Sequence, residues 1–249
     1  MYYRFLTLLF LVLSLLAGQC LAGQGLRPYN PSNATNAILL GLGGSLTTTS
    51  VLLDRRVTPL TEDQVGVLEI KRIPGIDMFS TRHLSLQADE ATDKLLLASF
   101  ASPFFLLLDR PGRDNFNDAA LIVFQGAMIN SGLINLTKVL VRRPRPYNYN
   151  PDAPLDTKLN KSSRYSFFSG HSATTAYFAI TTAKLYNDLY PNSNMRPYVW
   201  LGAALLPAAV SYGRMRAGRH FFTDVLVGTA VGTIIALVVP TLHRGSGEN

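Results

Sequence analysis

Six apolar stretches, separated by turns rich in proline, glycine and charge, set the strongest limit on what this chain can fold into. They cover residues 38–53, 95–108, 119–136, 171–185, 198–212 and 225–239. Between them stand Pro59, Pro74 and Gly75, the turn Asp109-Arg110-Pro111-Gly112, a long polar and proline-rich loop over 142–169, and a turn region over 187–197. Such breakers end one helix and begin the next. The period-2 alternation that marks a half-buried strand is scarce. The pattern predicts an all-α helical bundle, with at least five helices after residue 94.

The runs after residue 94 hold 14 to 18 residues, whereas a membrane-spanning helix needs roughly 20. Flanking residues close that gap, and residues 221–242 carry one charge, Asp224. The charged fraction is 16%, against roughly 25% in soluble chains. About five or six membrane-embedded helices are therefore expected, with Gly126, Gly202, Gly228 and Gly232 permitting close packing in lipid. Residues 38–53 are expected to span poorly, because Gly43, Gly44, Ser45 and the run Thr47-Thr48-Thr49-Ser50 interrupt them. An apolar content of 47% excludes disorder, and one cysteine excludes a disulfide scaffold.

Residues 1–22 read as a secretory signal peptide or signal anchor. Arg4 supplies the positive start, 5–16 the apolar run, and Gln19-Cys20-Leu21-Ala22 a small-residue cleavage site. Residues 23–93 follow as an N-terminal region with a weakly apolar helix and a polar loop. Residues 94–242 are expected to form the main helical domain, which holds the candidate catalytic residues, and 243–249 a polar tail.

Ten of the 23 basic residues lie in two short stretches, 138–164 and 214–219. Positive-inside signalling is one reading of them. Nucleic-acid binding is disfavoured, since no aromatic stacking platform is interleaved with the charges. A pocket for a phosphate-like anion is the third reading, and three spacings favour it. Lys138 ends an apolar run, and Arg145 follows it in a loop stiffened by Pro144 and Pro146. Lysine offers a point charge, and arginine a planar fork for two phosphate oxygens. Ser169-Gly170-His171 opens a helix, whose N-terminus favours an anion while Gly170 allows close backbone approach. Arg214 is followed by His220 and Asp224, spaced i, i+4. On one helix face, Asp224 would accept from one imidazole nitrogen and leave the other nucleophilic. Arg142, Arg143, Arg216 and Arg219 are expected to be solvated loop charges. His83 and His243 stand apart from any metal-ligand cluster and are expected at the surface.

These residues resemble the phosphatidic acid phosphatase type 2/haloperoxidase superfamily, whose motifs are K-x6-RP, PSGH and SR-x5-H-x3-D. The chain has Lys138…Arg145-Pro146, Phe168-Ser169-Gly170-His171 and Gly213-Arg214…His220…Asp224. Phe168 replaces the family proline and Gly213 the serine. The resemblance implies a helical bundle of that type and phosphoester hydrolysis without cofactor or metal. His220 would be the nucleophile that forms a phosphohistidine, Asp224 would orient it, and His171 would be the general acid. Lys138, Arg145, Arg214, Ser169 and Gly170 would hold the phosphoryl oxygens. Membrane lipid phosphates or polyprenyl diphosphates are the expected substrates, with membrane lipids as the surroundings and no nucleic acid partner. The family's habit of working outside the cytoplasm, together with a first run that does not span, places the site on the periplasmic side. A soluble periplasmic acid phosphatase and a vanadium-dependent haloperoxidase are the alternatives within the superfamily. An anion-binding structural protein without turnover is the alternative outside it.

Overall fold

The computed structural model describes residues 27–244. The signal segment 1–22 and most of the polar tail lie outside the described residues. Six long helices dominate: α1 Asn33–Asp54, α2 Leu86–Ala101, α3 Phe116–Val141, α4 Gly170–Leu189, α5 Arg196–Arg216 and α6 Phe222–Leu242. Among the described residues there is no strand, only an isolated bridge between Tyr29 and Arg244.

Local chemistry sets the helix ends. Ser32, Ser85 and Ser169 cap α1, α2 and α4, each accepting a backbone N–H with its side-chain oxygen. Pro197 occupies the first turn of α5, where its missing N–H costs nothing. Helix α3 stops at Arg142, which adopts a left-handed φ of 51°.

Helix α4 is the centre of the bundle. Fourteen of its 20 residues are buried, and α2, α3, α5 and α6 all pack against it. Its closest neighbour is α6. A Cβ on Gly228 would lie 2.5 Å from the Ser169 carbonyl oxygen, and one on Gly232 would lie 2.1 Å from that of Ala173. Any larger residue at either position would push the two helices apart. Gly126 plays the same part against Tyr177, whereas Gly202 faces open space and packs against nothing.

Among the described residues, four helical segments are long and apolar enough to cross a membrane: Asn33–Asp54, Leu86–Leu108, Phe116–Tyr149 and Phe222–Leu242. They present large apolar side chains outward, among them Ile38, Leu97, Leu140, Leu226 and Ile234. The protein ring that encloses α4 explains why that helix can be rich in threonine and serine and fall outside this set. Residues 33–54 correct the expectation of a poor span. Ser45, Thr47 and Ser50 each donate to a carbonyl three or four residues back, so their polarity is satisfied within the helix.

The helices alternate in direction. The end opposite residues 142–169 holds both described termini. There the Asp188 carboxylate, 8% exposed as a residue, accepts from Tyr29 Oη (2.6 Å), Arg244 Nη2 (2.7 Å) and Lys184. His243 lies beside this clasp. It was expected at the surface but is 1% exposed, and its Nε2 pairs with Gln125 Oε1 at 2.6 Å.

Candidate active site

The other end of the bundle gathers the predicted residues. Lys138 occupies the last turn of α3. Its Nζ lies 3.1 Å from where a Cβ on Gly170 would stand, so the glycine is what admits it. Arg145 is held by the loop it belongs to. Its backbone N–H donates to the Ser163 carbonyl (2.8 Å) and its Nε to that of Ser162 (2.9 Å). Ser169 caps α4 through its Oγ, and its own N–H donates to the Asp224 carbonyl at 3.0 Å. Beside Lys138, a slot of about 180 Å³ between α1 and α3 is lined by Ser50, Val51, Asn135 and Val139.

His220 lies in the turn between α5 and α6, 1% exposed. Its Nδ1 is 2.7 Å from the Ser166 carbonyl oxygen. A carbonyl can only accept, so this contact puts the proton on Nδ1 and leaves the Nε2 lone pair available. Burial and then the charges of Arg145, Arg214 and Lys138 hold the His220 pKa well below the usual histidine range. The ring is therefore neutral at physiological pH, as a nucleophile must be.

Asp224 does not bond His220 as the i, i+4 spacing suggested. Its Oδ2 is 3.8 Å from Nδ1. The reason is that α6 begins at Phe222, so His220 precedes the helix rather than sharing its face. Asp224 instead caps α6, accepting the Phe221 N–H at 2.9 Å, and accepts the Ser166 hydroxyl at 2.5 Å. Ser166 thus links the two through its side chain and its carbonyl.

Arg143 is not a solvated charge. One arm donates to Asp224 Oδ1 (2.5 Å) and the other to Asp77 Oδ2 (2.7 Å), and its guanidinium carbon lies 4.0 Å above the Phe221 ring. Asp77 also accepts the Thr223 N–H and hydroxyl. Arg219 is likewise paired, presenting Nε and Nη2 to Asp89 Oδ2.

Helix α2 adds residues that the motifs do not contain. Asp89 accepts from Arg214 Nη1 at 2.6 Å, Thr92 lies 3.1 Å from the same nitrogen, and Asp93 Oδ1 lies 2.7 Å from His171 Nε2. His171, at the mouth of the bundle and outside the four candidate spans, has its pKa pulled down to about 4. Burial is the main cause; the Asp93 hydrogen bond opposes it, and the charges of Arg214 and Lys138 reinforce it. The one sequence signal for this part was a pair of acids four apart, Asp89 and Asp93, just inside a serine-capped helix. Ser166 reaches His220 through a backbone carbonyl, which leaves no signal of residue type, and its hydroxyl meets Asp224 from 58 residues away, outside any motif.

Both departures from the family motifs have packing reasons. A Cβ on Gly213 would stand 2.4 Å from Thr92 Cγ2, so glycine lets α2 approach α5. Phe168 is 4% exposed and packs with Ile134 and Ala173.

Three cations and a helix N-terminus thus surround a neutral, unprotonated imidazole nitrogen, an arrangement suited to binding a tetrahedral oxyanion and attacking its centre. Residues 119–248 match the family model described as PAP2 superfamily. Lipid A 4'-phosphatase of Porphyromonas gingivalis is 30% identical over 149 residues, 56% of this chain and 57% of that protein. Phospholipid phosphatase 2 of Mus musculus is 25% identical over 178 residues, 58% of this chain and 63% of that protein. The matches therefore span less than two thirds of either relative. A transmembrane PAP2 type phosphatidylglycerolphosphate phosphatase from Bacillus subtilis, known from its crystal structure, aligns with 95% of this chain and 94% of its own, at 21% identity and a TM-score of 0.41.

Proposed function

We propose, from the premise that this chain belongs to the PAP2 superfamily, that it is a membrane phosphatase acting on lipid phosphate monoesters or lipid diphosphates. The observation that carries the reading is the His220 Nδ1 contact with the Ser166 carbonyl, amid Lys138, Arg145 and Arg214. It supports Nε2 as the attacking atom. In the first step Nε2 forms a bond to phosphorus, the bond to the leaving oxygen breaks, and His171 gives that oxygen its proton. The charged form of His171 is favoured by Asp93 and by the negative charge of the bound phosphoryl group, which offset the burial that disfavours it in the free site. In the second step His171 takes a proton from water as the water oxygen attacks the phosphohistidine, releasing phosphate and restoring Nε2. Lys138, Arg145, Arg214, Ser169 and the Gly170 N–H hold the equatorial oxygens, where phosphoryl transfer most needs positioning and charge. Asp224, near but not bonded to the ring, stabilises the imidazolium of the intermediate. The related phosphatases act on lipids, and the candidate spans support the membrane branch over a soluble one.

The test is phosphate release from a short-chain phosphatidic acid by detergent-solubilised protein. Activity that survives EDTA and is blocked by vanadate is expected. Loss of activity in EDTA, restored by a divalent cation, would overturn the proposed mechanism.

The site is proposed to face the periplasm on the family's habit of working outside the cytoplasm alone, because a spanning α1 removes the support expected from a non-spanning first run. The described termini meet at the opposite end of the bundle, so this orientation puts residue 244 in the cytoplasm. A fluorescent-protein fusion after residue 249 should then fluoresce, and an alkaline phosphatase fusion there should be inactive. The reverse pair of results would put the site in the cytoplasm.

A further inference from the structure

Tyr147 follows the Arg145-Pro146 pair directly and is 1% exposed. Its backbone N–H donates to the Gly218 carbonyl at 3.1 Å, which fixes it beneath the turn that carries His220. The Arg219 guanidinium carbon lies 5.5 Å from its ring centroid. Its hydroxyl is buried and has no hydrogen-bond partner in the fold. Burying a hydroxyl that way is unfavourable, and such groups are uncommon. One residue on, the Asn148 N–H donates to the Arg145 carbonyl at 3.0 Å, so Tyr147 sits inside the tight turn that Arg145 opens. A neutral donor is thus kept unpartnered beside a cation assigned to the phosphoryl group.

We propose that Tyr147 is a further phosphate-binding residue, its O–H donating to a non-bridging oxygen of the phosphoryl group that Arg145 holds; the assignment rests on the phosphatase reading of the site. A hydroxyl suits this place. It adds a donor without adding a fourth positive charge, which would weigh against protonation of His171. The competing account is a buried structural water. Ser163 Oγ and Asn148 Oδ1, in the same loop, also lack partners and could share one with Tyr147.

Tyr147→Phe separates the two, because it removes the oxygen and keeps the ring. The probes are orthovanadate and inorganic phosphate, read by the rise in Tm that each causes in detergent-solubilised protein, so that turnover is not needed. The ligand-free variant should unfold at the wild-type Tm or above it, since an unsatisfied group has been deleted. Its apparent affinity for both anions should fall about tenfold, and its KM should rise in step. A lowered ligand-free Tm with unchanged anion affinity would mean the hydroxyl serves a water, and the proposal would be wrong. Unchanged affinity at any Tm overturns it equally. If vanadate and phosphate fail to shift the wild-type Tm, the phosphatase reading itself falls and takes this assignment with it.

Discussion

His220→Ala should abolish turnover, with kcat reduced by about 10⁴-fold or more, the scale seen when a covalent nucleophile is removed. That is at least about 5.5 kcal/mol of transition-state stabilisation. The ring is almost wholly buried, so a loss of activity could also reflect poor folding. His220→Asn answers that objection. An asparagine amide nitrogen can take the place of Nδ1 and keep donating to the Ser166 carbonyl, but it offers nothing at Nε2. Both variants should retain a cooperative thermal transition and lose activity. Turnover in the asparagine variant within tenfold of wild type would show that Nε2 does not attack phosphorus.

Arg143→Gln should lower Tm by roughly 10 °C. The substitution leaves Asp77 and Asp224, which are 1% and 0% exposed, without their shared cation. Breaking a buried pair in this way costs about 3–5 kcal/mol, and in a chain of this size about 1 kcal/mol moves Tm by 2–4 °C. Activity should fall as well, since Asp224 and Ser166 together fix the His220 ring. Arg143→Lys should recover part of the loss, because an ammonium can satisfy one carboxylate but cannot fork to both. A solvated loop charge, as the sequence suggested, would shift Tm by less than about 2 °C on either substitution.

The contrast between Arg143 and Arg145 shows what was legible in the sequence. Lys138, Arg145, Ser169, His171, Arg214, His220 and Asp224 fall in short motifs of fixed spacing, and the fold brings all seven to one end of the bundle. Arg143 has no spacing of its own, and its partner Asp77 lies 66 residues away. The contacts of Asp89 with Arg214 and of Asp93 with His171 span 125 and 78 residues. On a single sequence, acids four apart on a capped helix read as a solvated face. Only the packing of α2 against α4 and α5 brings Asp89 against Arg214 and sets the largely exposed Asp93 beside His171. Helix α1 was misjudged for another reason. Its serines and threonines were weighed as polar groups facing lipid, whereas three of them bond back to their own helix. His220 and Asp224 were read correctly as neighbours and wrongly as bonded, because the spacing rule assumes a helix that has not yet begun at His220.

The order of synthesis gives the close seat of α6 against α4 a biological consequence. The residues proposed to hold the phosphoryl group sit on segments that leave the ribosome before α6. Asp224 lies in α6, and the glycines that let this helix settle against Ser169 and Ala173 lie there too. Chains tend to fold from the N-terminus as they emerge. A polypeptide released early, just after His220, would carry most of the proposed binding pocket and the proposed nucleophile, but not Asp224, which anchors the Ser166 hydroxyl and the Phe221 N–H beside the ring. On the proposed reading, activity should appear only when α6 is in place, and an incomplete chain lying in the membrane should leave the lipids around it intact.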